Sequence, residues 1–213
     1  PQDPLPPHAN PVPDPDKIAR LAAQAKAARK PMIWVGGGAL DAGPEIQALA
    51  ERLGAPVVSF RSGRGIVSDR HKLAMTVASA YRLWAETDLL IGFGSRLEVC
   101  LGRWGKRPAN LAVARFDIDP VEMRRLAVDT GIVADAADGA RALLAAIGPG
   151  APAAGRAEAI ASAKAATATA IEAVQPQLSY LQAIRDVLPD DGIFCDEMTQ
   201  VGYASWFGFP VYH

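Results

Sequence analysis

The chain predicts a three-layer, Rossmann-like α/β domain, with a mostly parallel sheet of about six strands and helices on both faces. Three observations predict it. Short apolar runs alternate with segments whose apolar residues recur at helical spacing. The runs are apolar at consecutive positions, as strands covered on both faces must be. Two of them end in glycine, most visibly Pro31-Met32-Ile33-Trp34-Val35, which runs into Gly36-Gly37-Gly38.

The elements follow in order. Residues 1–15 hold seven prolines and predict an extended linker, since proline suits neither helix nor ladder. Asp16 is expected to cap a helix carrying Ile18, Leu21, Ala22 and Ala25 on one face. A strand over Met32–Val35 leads into the glycine turn. Ile46, Leu49, Ala50 and Leu53 form the next helix face, and Gly54 sits where a C-terminal glycine cap belongs. Pro56–Phe60 predicts a strand that opens into the loop Arg61-Ser62-Gly63-Arg64-Gly65. Leu73–Val77 predicts a brief strand, with a helix after it through Ala80, Leu83 and Trp84. Asp88–Gly94 is the clearest buried strand. Leu111–Asp117 and Ile132–Asp135 predict two more, with a short helix over Val121–Ala127 between them and a longer one over Ala137–Ile147 after them.

Beyond Gly148-Pro149-Gly150 the texture changes. Residues 151–176 are rich in alanine and poor in large apolar side chains, which predicts a connecting helix. From Gln177 a new unit begins. Leu178, Leu181, Ile184, Val187 and Leu188 mark a helix face, and Ile193-Phe194-Cys195 reads as a strand followed by Asp196-Glu197-Met198-Thr199-Gln200. The expected organisation is therefore a linker (1–15), a central domain (16–150), a linker helix (151–176) and the start of a second α/β unit (177–213). Such a start has no sheet of its own to join.

Composition narrows the function. Lys and Arg number 22 against 23 Asp and Glu, so no charge bias points to nucleic acid or to an anionic membrane. The two cysteines, Cys100 and Cys195, lack neighbours at metal-ligand spacing, which fits a reducing, cytoplasmic setting. No apolar stretch approaches the ~20 residues a membrane helix needs. No Ser-His-Asp order, Walker loop or metal cluster is present, so no catalytic residue and no metal ligand is assigned.

Candidate contacts gather where predicted strands end. Gly36, Gly37 and Gly38 would let backbone N–H groups approach a pyrophosphate, or would simply allow a tight strand-to-helix turn. They do not form the Gly-x-Gly-x-x-Gly of a dinucleotide fingerprint. Arg96 follows a glycine-ended strand at the carboxyl edge, where ligands of open α/β sheets collect. Its guanidinium would grip a phosphate or make a surface or interface ion pair. Asp117 would accept from a ribose hydroxyl or an adenine amine, while Asp119-Pro120 suits a helix cap.

Five motifs in sequence order carry a resemblance. They are Lys30-Pro31 before the strand and glycine turn, Leu53-Gly54-Ala55-Pro56-Val57-Val58, Gly63-Arg64-Gly65-Ile66, Thr87–Arg96 with its Gly92-Phe93-Gly94-Ser95-Arg96 end, and Phe116-Asp117-Ile118-Asp119-Pro120-Val121-Glu122. Together they resemble the central domain of thiamine-diphosphate-dependent enzymes of the acetolactate synthase and pyruvate decarboxylase group, over residues 16–147. Residues 180–202 resemble the opening of that group's third, diphosphate-binding domain.

The resemblance implies a parent enzyme that decarboxylates or carboligates 2-oxo acids with thiamine diphosphate and Mg²⁺. It implies a homo-oligomer, a dimer or tetramer. Because the family's Gly-Asp-Gly stretch is missing, this piece alone is not expected to perform the chemistry. The family's central domain holds FAD in some members, ADP in others and nothing in many. Asp135 matches a position after the last strand of that domain, and the turn bearing Glu197 and Gln200 lies near thiamine diphosphate in relatives. Met75–Ala80 carries no glycine where flavin-binding relatives do, which weighs against FAD more than ADP. The alternatives are a ligand-free structural or oligomerisation domain and a self-contained nucleotide-binding domain.

Overall fold

A computed structural model describes residues 9–151 and 156–213 of the chain. Most of the proline-rich stretch, at residues 1–8, and residues 152–155 of the expected linker helix lie outside the described residues.

Helix α1 (Pro15–Ala27) packs on the sheet through Ile18, Leu21, Ala22 and Ala25, the face its spacing predicts. Its cap is Asp14 rather than Asp16: the Asp14 carboxylate accepts from the N–H groups of Asp16 and Lys17 at 3.0 and 3.2 Å. The reason is Pro15. A proline with φ already near the helical value belongs at the first helical position, which makes the residue before it the cap.

Six strands follow: β1 (Pro31–Val35), β2 (Val57–Ser59), β3 (Ala74–Thr76), β4 (Leu89–Phe93), β5 (Ala112–Asp117) and β6 (Thr130–Val133). They form one all-parallel sheet in the order β3-β2-β1-β4-β5-β6. Every residue of β1 and β4 is buried, so their continuous apolar character has its cause in two covered faces. The chain leaves β1 for β2 on one side and later returns to pair β4 on the other. The carboxyl ends of β1 and β4 therefore border a crevice where the strand order reverses.

The helices cover the faces. Helix α2 (Gly43–Leu53) buries Ile46, Leu49, Ala50 and Leu53, and Gly54 ends it in the left-handed region at φ +61°, donating to the Ala50 and Glu51 carbonyls. Helix α6 (Ala136–Ile147) packs against both α1 and α2. Helix α3 (Val77–Tyr81) is capped by Thr76. Short helices α4 (Glu98–Gly102) and α5 (Pro120–Met123) follow the ends of β4 and β5.

Helix α7 (Arg156–Ile171) packs on α3 and leads to α8 (Gln177–Val187) and α9 (Gln200–Gly208), which pack on each other. Residues 193–195 differ from expectation. They form no strand, and Ile193 is 86% exposed. A parallel strand needs a neighbouring ladder, and among the described residues none lies beside them. The aromatic stretch after Gly202 is instead helical, with the Thr199 hydroxyl capping α9 by accepting from Gly202 N–H at 3.0 Å.

Candidate functional site

The crevice between β1 and β4 opens as a cleft of about 300 Å³, bordered by Trp34, Gly36, Gly37, Arg61, Ser62 and Arg96 among others. Two of the three consecutive glycines that follow β1 are already committed. Gly36 N–H donates to the Phe93 carbonyl at 3.0 Å, and Gly38 N–H to the Gly94 carbonyl at 3.1 Å. A side-chain carbon on Gly36 would stand 2.5 Å from the Gly94 oxygen, and one on Gly38 would stand 2.9 Å from the Gly94 Cα. Gly94 itself sits at φ +54°, a region open to glycine, and a Cβ there would lie 2.3 Å from the Gly38 carbonyl carbon. The glycine run is thus first a place where two loops lie backbone on backbone. After Gly36 the chain makes a 3₁₀ turn over Gly37–Ala42 before α2 begins at Gly43, and no residue of α2 borders the cleft.

Arg96 stands on the rim. Its Nε donates to Glu122 Oε2 at 2.9 Å, and Arg125 binds the same carboxylate from the other side at 2.6 Å. The Arg96 side chain remains 57% exposed. An exposed pair of this kind is worth at most about 1 kcal/mol, so an incoming anion can compete for the guanidinium at little cost.

Asp117 ends β5, and its carboxylate is also in use: it accepts from Arg115 Nη2 and, at 3.1 Å, from Asp119 N–H. Asp119 caps α5 by accepting from Val121 N–H at 2.7 Å, the role its Asp-Pro context predicts. Asp135 caps α6, accepting from Ala137 and Asp138 N–H at 2.9 and 3.3 Å. Gln200 opens α9, and its side-chain oxygen accepts from Gln177 Nε2 at 2.6 Å.

Arg115 is the residue that sequence reasoning missed. It is fully buried inside β5, opposite Gly92 of β4. Its Nε donates to the Ser95 carbonyl and its Nη1 to the Glu122 carbonyl, both at 2.8 Å, while Nη2 binds Asp117. One guanidinium therefore ties the loops after β4 and β5 together beneath the rim. The available signal was a lone arginine in the otherwise apolar run Leu111–Phe116.

A second cleft, of about 440 Å³, lies between the Arg61 loop and α9. It shares Arg61 and Ser62 with the first and adds Asp196, Glu197, Tyr203 and Trp206. Glu197 is exposed, with Oε1 accepting from Met198 N–H at 2.8 Å. The structure thus brings Gly36, Gly37 and Arg96 to one cleft and Glu197 to the adjoining one. Gly38, Asp117, Asp135 and Gln200 line neither.

Arg64 closes the floor. It donates to the Trp206 carbonyl at 2.7 Å, to the Phe209 carbonyl at 2.6 Å and to Asp69 at 2.5 Å, and Asp69 accepts in turn from Val211 N–H at 2.8 Å. The Gly63-Arg64-Gly65 loop is therefore the clasp that holds α9 against the sheet domain. Neither cysteine offers a reactive thiolate by geometry: Cys100 is buried, which pushes its thiol up to about 12, and Cys195 stands alone on the surface. Among the described residues no group of three or more His, Cys, Asp or Glu could hold a metal ion, and no helix is long and apolar enough to cross a membrane.

Comparison with known proteins places this geometry. Over 210 residues the chain is 32% identical to a Pseudomonas aeruginosa protein named a probable 2-ketoarginine decarboxylase, covering 93% of the chain and 37% of that protein. An acetolactate synthase of Arthrospira platensis is 33% identical over 135 residues, 57% of the chain and 23% of that enzyme. The chain thus spans little more than a third of these relatives at most. A solved structure from Mycobacterium smegmatis, described as a thiamin diphosphate-dependent enzyme, shares the fold over 98% of the chain and 42% of its own length, with a TM-score of 0.71 at 20% identity. The family model for the thiamine pyrophosphate enzyme central domain matches residues 18–143, more than half of the chain. With its parallel sheet, its glycine-lined crevice and this match, the chain belongs to the thiamine pyrophosphate enzyme family and carries its central domain.

Proposed function

We propose that this chain serves within a thiamine-diphosphate-dependent enzyme that decarboxylates or carboligates 2-oxo acids. One observation carries the reading: the similarity to the Pseudomonas aeruginosa relative runs through 93% of the chain, past the central domain and into the α8–α9 unit. The organisation that accompanies it is a central domain over residues 16–150, a helical connection over 151–176 and the opening of a catalytic domain over 177–213.

Thiamine diphosphate needs a site for Mg²⁺ and its diphosphate, and the described residues gather no such donor set. Mg²⁺ and the diphosphate would then be held by other parts of the parent enzyme. What the chain contributes is position. Its sheet is a platform, and Arg64 holds the C-terminal end of α9 against the platform's carboxyl edge through the Trp206 and Phe209 carbonyls.

The test is direct. The full-length protein, supplied with thiamine diphosphate and Mg²⁺, is expected to release CO₂ from 2-oxo acids. No release from any 2-oxo acid would overturn the reading.

A second role belongs to the crevice between β1 and β4. Its size lies at the low end of the roughly 300–1,000 Å³ of ligand pockets. That favours one nucleotide end, as in ADP, over the extended chain of FAD. Saturating ADP is expected to stabilise the chain by about 2–4 kcal/mol in thermal unfolding. A ligand-free scaffold is the competing reading, favoured by the glycine N–H groups already spent on the Phe93 and Gly94 carbonyls. Absence of any shift with ADP or FAD would leave the scaffold, a role in a homo-oligomer that sedimentation would test.

A further inference from the structure

We infer that Arg61 is a charge shared by the two adjoining clefts: its guanidinium either stacks on the Trp206 indole or answers a phosphate in the β1–β4 crevice, so that an occupant of the crevice is felt in the cleft beside α9. This rests on the reading that the crevice takes a nucleotide such as ADP, and it names the regulation of that site.

Arg61 and Ser62 border both clefts. On the α9 side, the Arg61 guanidinium lies 4.6 Å from the Trp206 ring centre and 5.1 Å from that of Phe60, and the two rings meet edge-on at 5.3 Å. Among the described residues that guanidinium makes no ion pair and no hydrogen bond, so the rings hold it. Stacking uses the flat faces of a guanidinium and leaves its edge donors open. On the crevice side, the same loop leans over the glycine turn. A Cβ on Gly37 would stand 3.0 Å from the Ser62 hydroxyl oxygen. A phosphate seated at Gly37 would meet that hydroxyl, with Arg61 and Arg96 on the same rim.

The backbone marks the same place. Among the described residues, the non-glycine residues at positive φ are Arg61 at +48° and Leu97 at +55°, and both border the crevice. Strain of this kind persists only where the surrounding structure imposes it, and it gathers at ligand clamps and switches.

An exposed cation–π stack is weaker than a charge-assisted hydrogen bond to phosphate, so the phosphate wins the guanidinium. The α9 cleft then changes in two ways. Trp206 loses the cation on its ring, while Asp196 Oδ2 still accepts from its Nε1 at 2.8 Å. The cleft also gives up an exposed guanidinium and keeps the carboxylates of Asp196 and Glu197, so it turns more acidic. By linkage, whatever holds Arg61 against Trp206 weakens binding in the crevice by the same factor.

Two readouts on the chain test this. Calorimetric titration with ADP reads binding. The indole N–H resonance of Trp206, identified by its loss in Trp206→Phe, reads the α9 cleft. ADP is expected to shift that resonance with the midpoint found by calorimetry. Arg61→Met should weaken ADP at least about tenfold, as loss of a charge-assisted contact would, and should abolish the shift at saturating ADP. Trp206→Leu releases the guanidinium and should tighten ADP about two- to fivefold. Binding of ADP with an unmoved Trp206 resonance, or a shift that survives in Arg61→Met, would overturn the coupling and leave the nucleotide reading standing. Absence of any ADP binding would overturn both.

Discussion

The sheet domain and the α8–α9 unit are held together by different physics. The first has a continuous apolar core running from α1 through all six strands to α6. The second fully buries only Leu181, Ala204 and Phe209 as a cluster of its own. It clings to its neighbour through arginines instead. Arg64 reaches the carbonyls of Trp206 and Phe209, and Arg70 pairs with Asp190 and lies 3.7 Å from the Tyr212 ring, while Arg185 braces the unit from within through the Pro189 and Pro210 carbonyls. Burial drives the sheet to fold almost regardless of detail. A hydrogen-bonded clasp is specific in direction and fails when one member is removed. The difference teaches that the unit bearing Glu197 is positioned by few, replaceable contacts, while the crevice beside it is built into the sheet.

The strongest break should come at Arg115. Arg115→Met leaves Asp117 without its guanidinium and frees the Ser95 and Glu122 carbonyls in a buried place. A cost of about 3–5 kcal/mol is expected in urea unfolding of the whole chain. Arg64→Met should cost about 3 kcal/mol but divide it unevenly. The α9 region would detach first, so a fluorophore on the exposed Cys195 would change its emission at lower urea than far-UV circular dichroism. Coincident transitions would show that the two regions are one cooperative body.

Gly38→Ala sets the new methyl against the Gly94 backbone, and a loss of about 1–3 kcal/mol is expected from overpacking. That loss should appear in the sheet's transition alone. The smallest effect is acid titration. Arg141 holds the Glu45 carboxyl below its ordinary 4.5 by hydrogen bonding, and Arg70 does the same for Asp190 against 3.8. Both pairs stabilise the fold above the ordinary carboxyl value and lose that contribution as pH falls through the lowered one. Glu45→Gln should flatten the acid limb of the sheet's unfolding, and Asp190→Asn that of the α9 region. Screening by salt should erase both differences, since both pairs are partly exposed.

These contrasts also mark what the amino-acid order discloses. β1 and β4 are legible because continuous apolar runs have one economical explanation, burial on two faces. The α2 face and Gly54 are legible for the same kind of reason: period and cap coincide. Residues 193–195 mislead because a run of β-branched Ile193, aromatic Phe194 and apolar Cys195 satisfies strand propensity without saying whether a neighbouring strand exists. Asp117, Asp119 and Asp135 all follow strand ends, and no local pattern separates a carboxylate that caps a helix from one braced by a buried arginine. The glycine run is ambiguous for a deeper reason. Missing side chains admit a phosphate and admit another loop equally well, and only the position of Gly94 tells which. Arg64 and Trp206 are 142 residues apart in sequence, a separation across which no periodicity can speak.

The loop contact at Gly36, Gly38 and Gly94 has one more consequence. The floor of the crevice there is peptide groups rather than side chains. A surface made of peptide groups has much the same shape whatever residues surround it. The identity of any occupant is then decided by replaceable side chains on the rim, such as Arg61 and Arg96. Exchange at those positions can change or abolish an occupant while the strands below remain paired. In such a design ligand choice drifts independently of architecture.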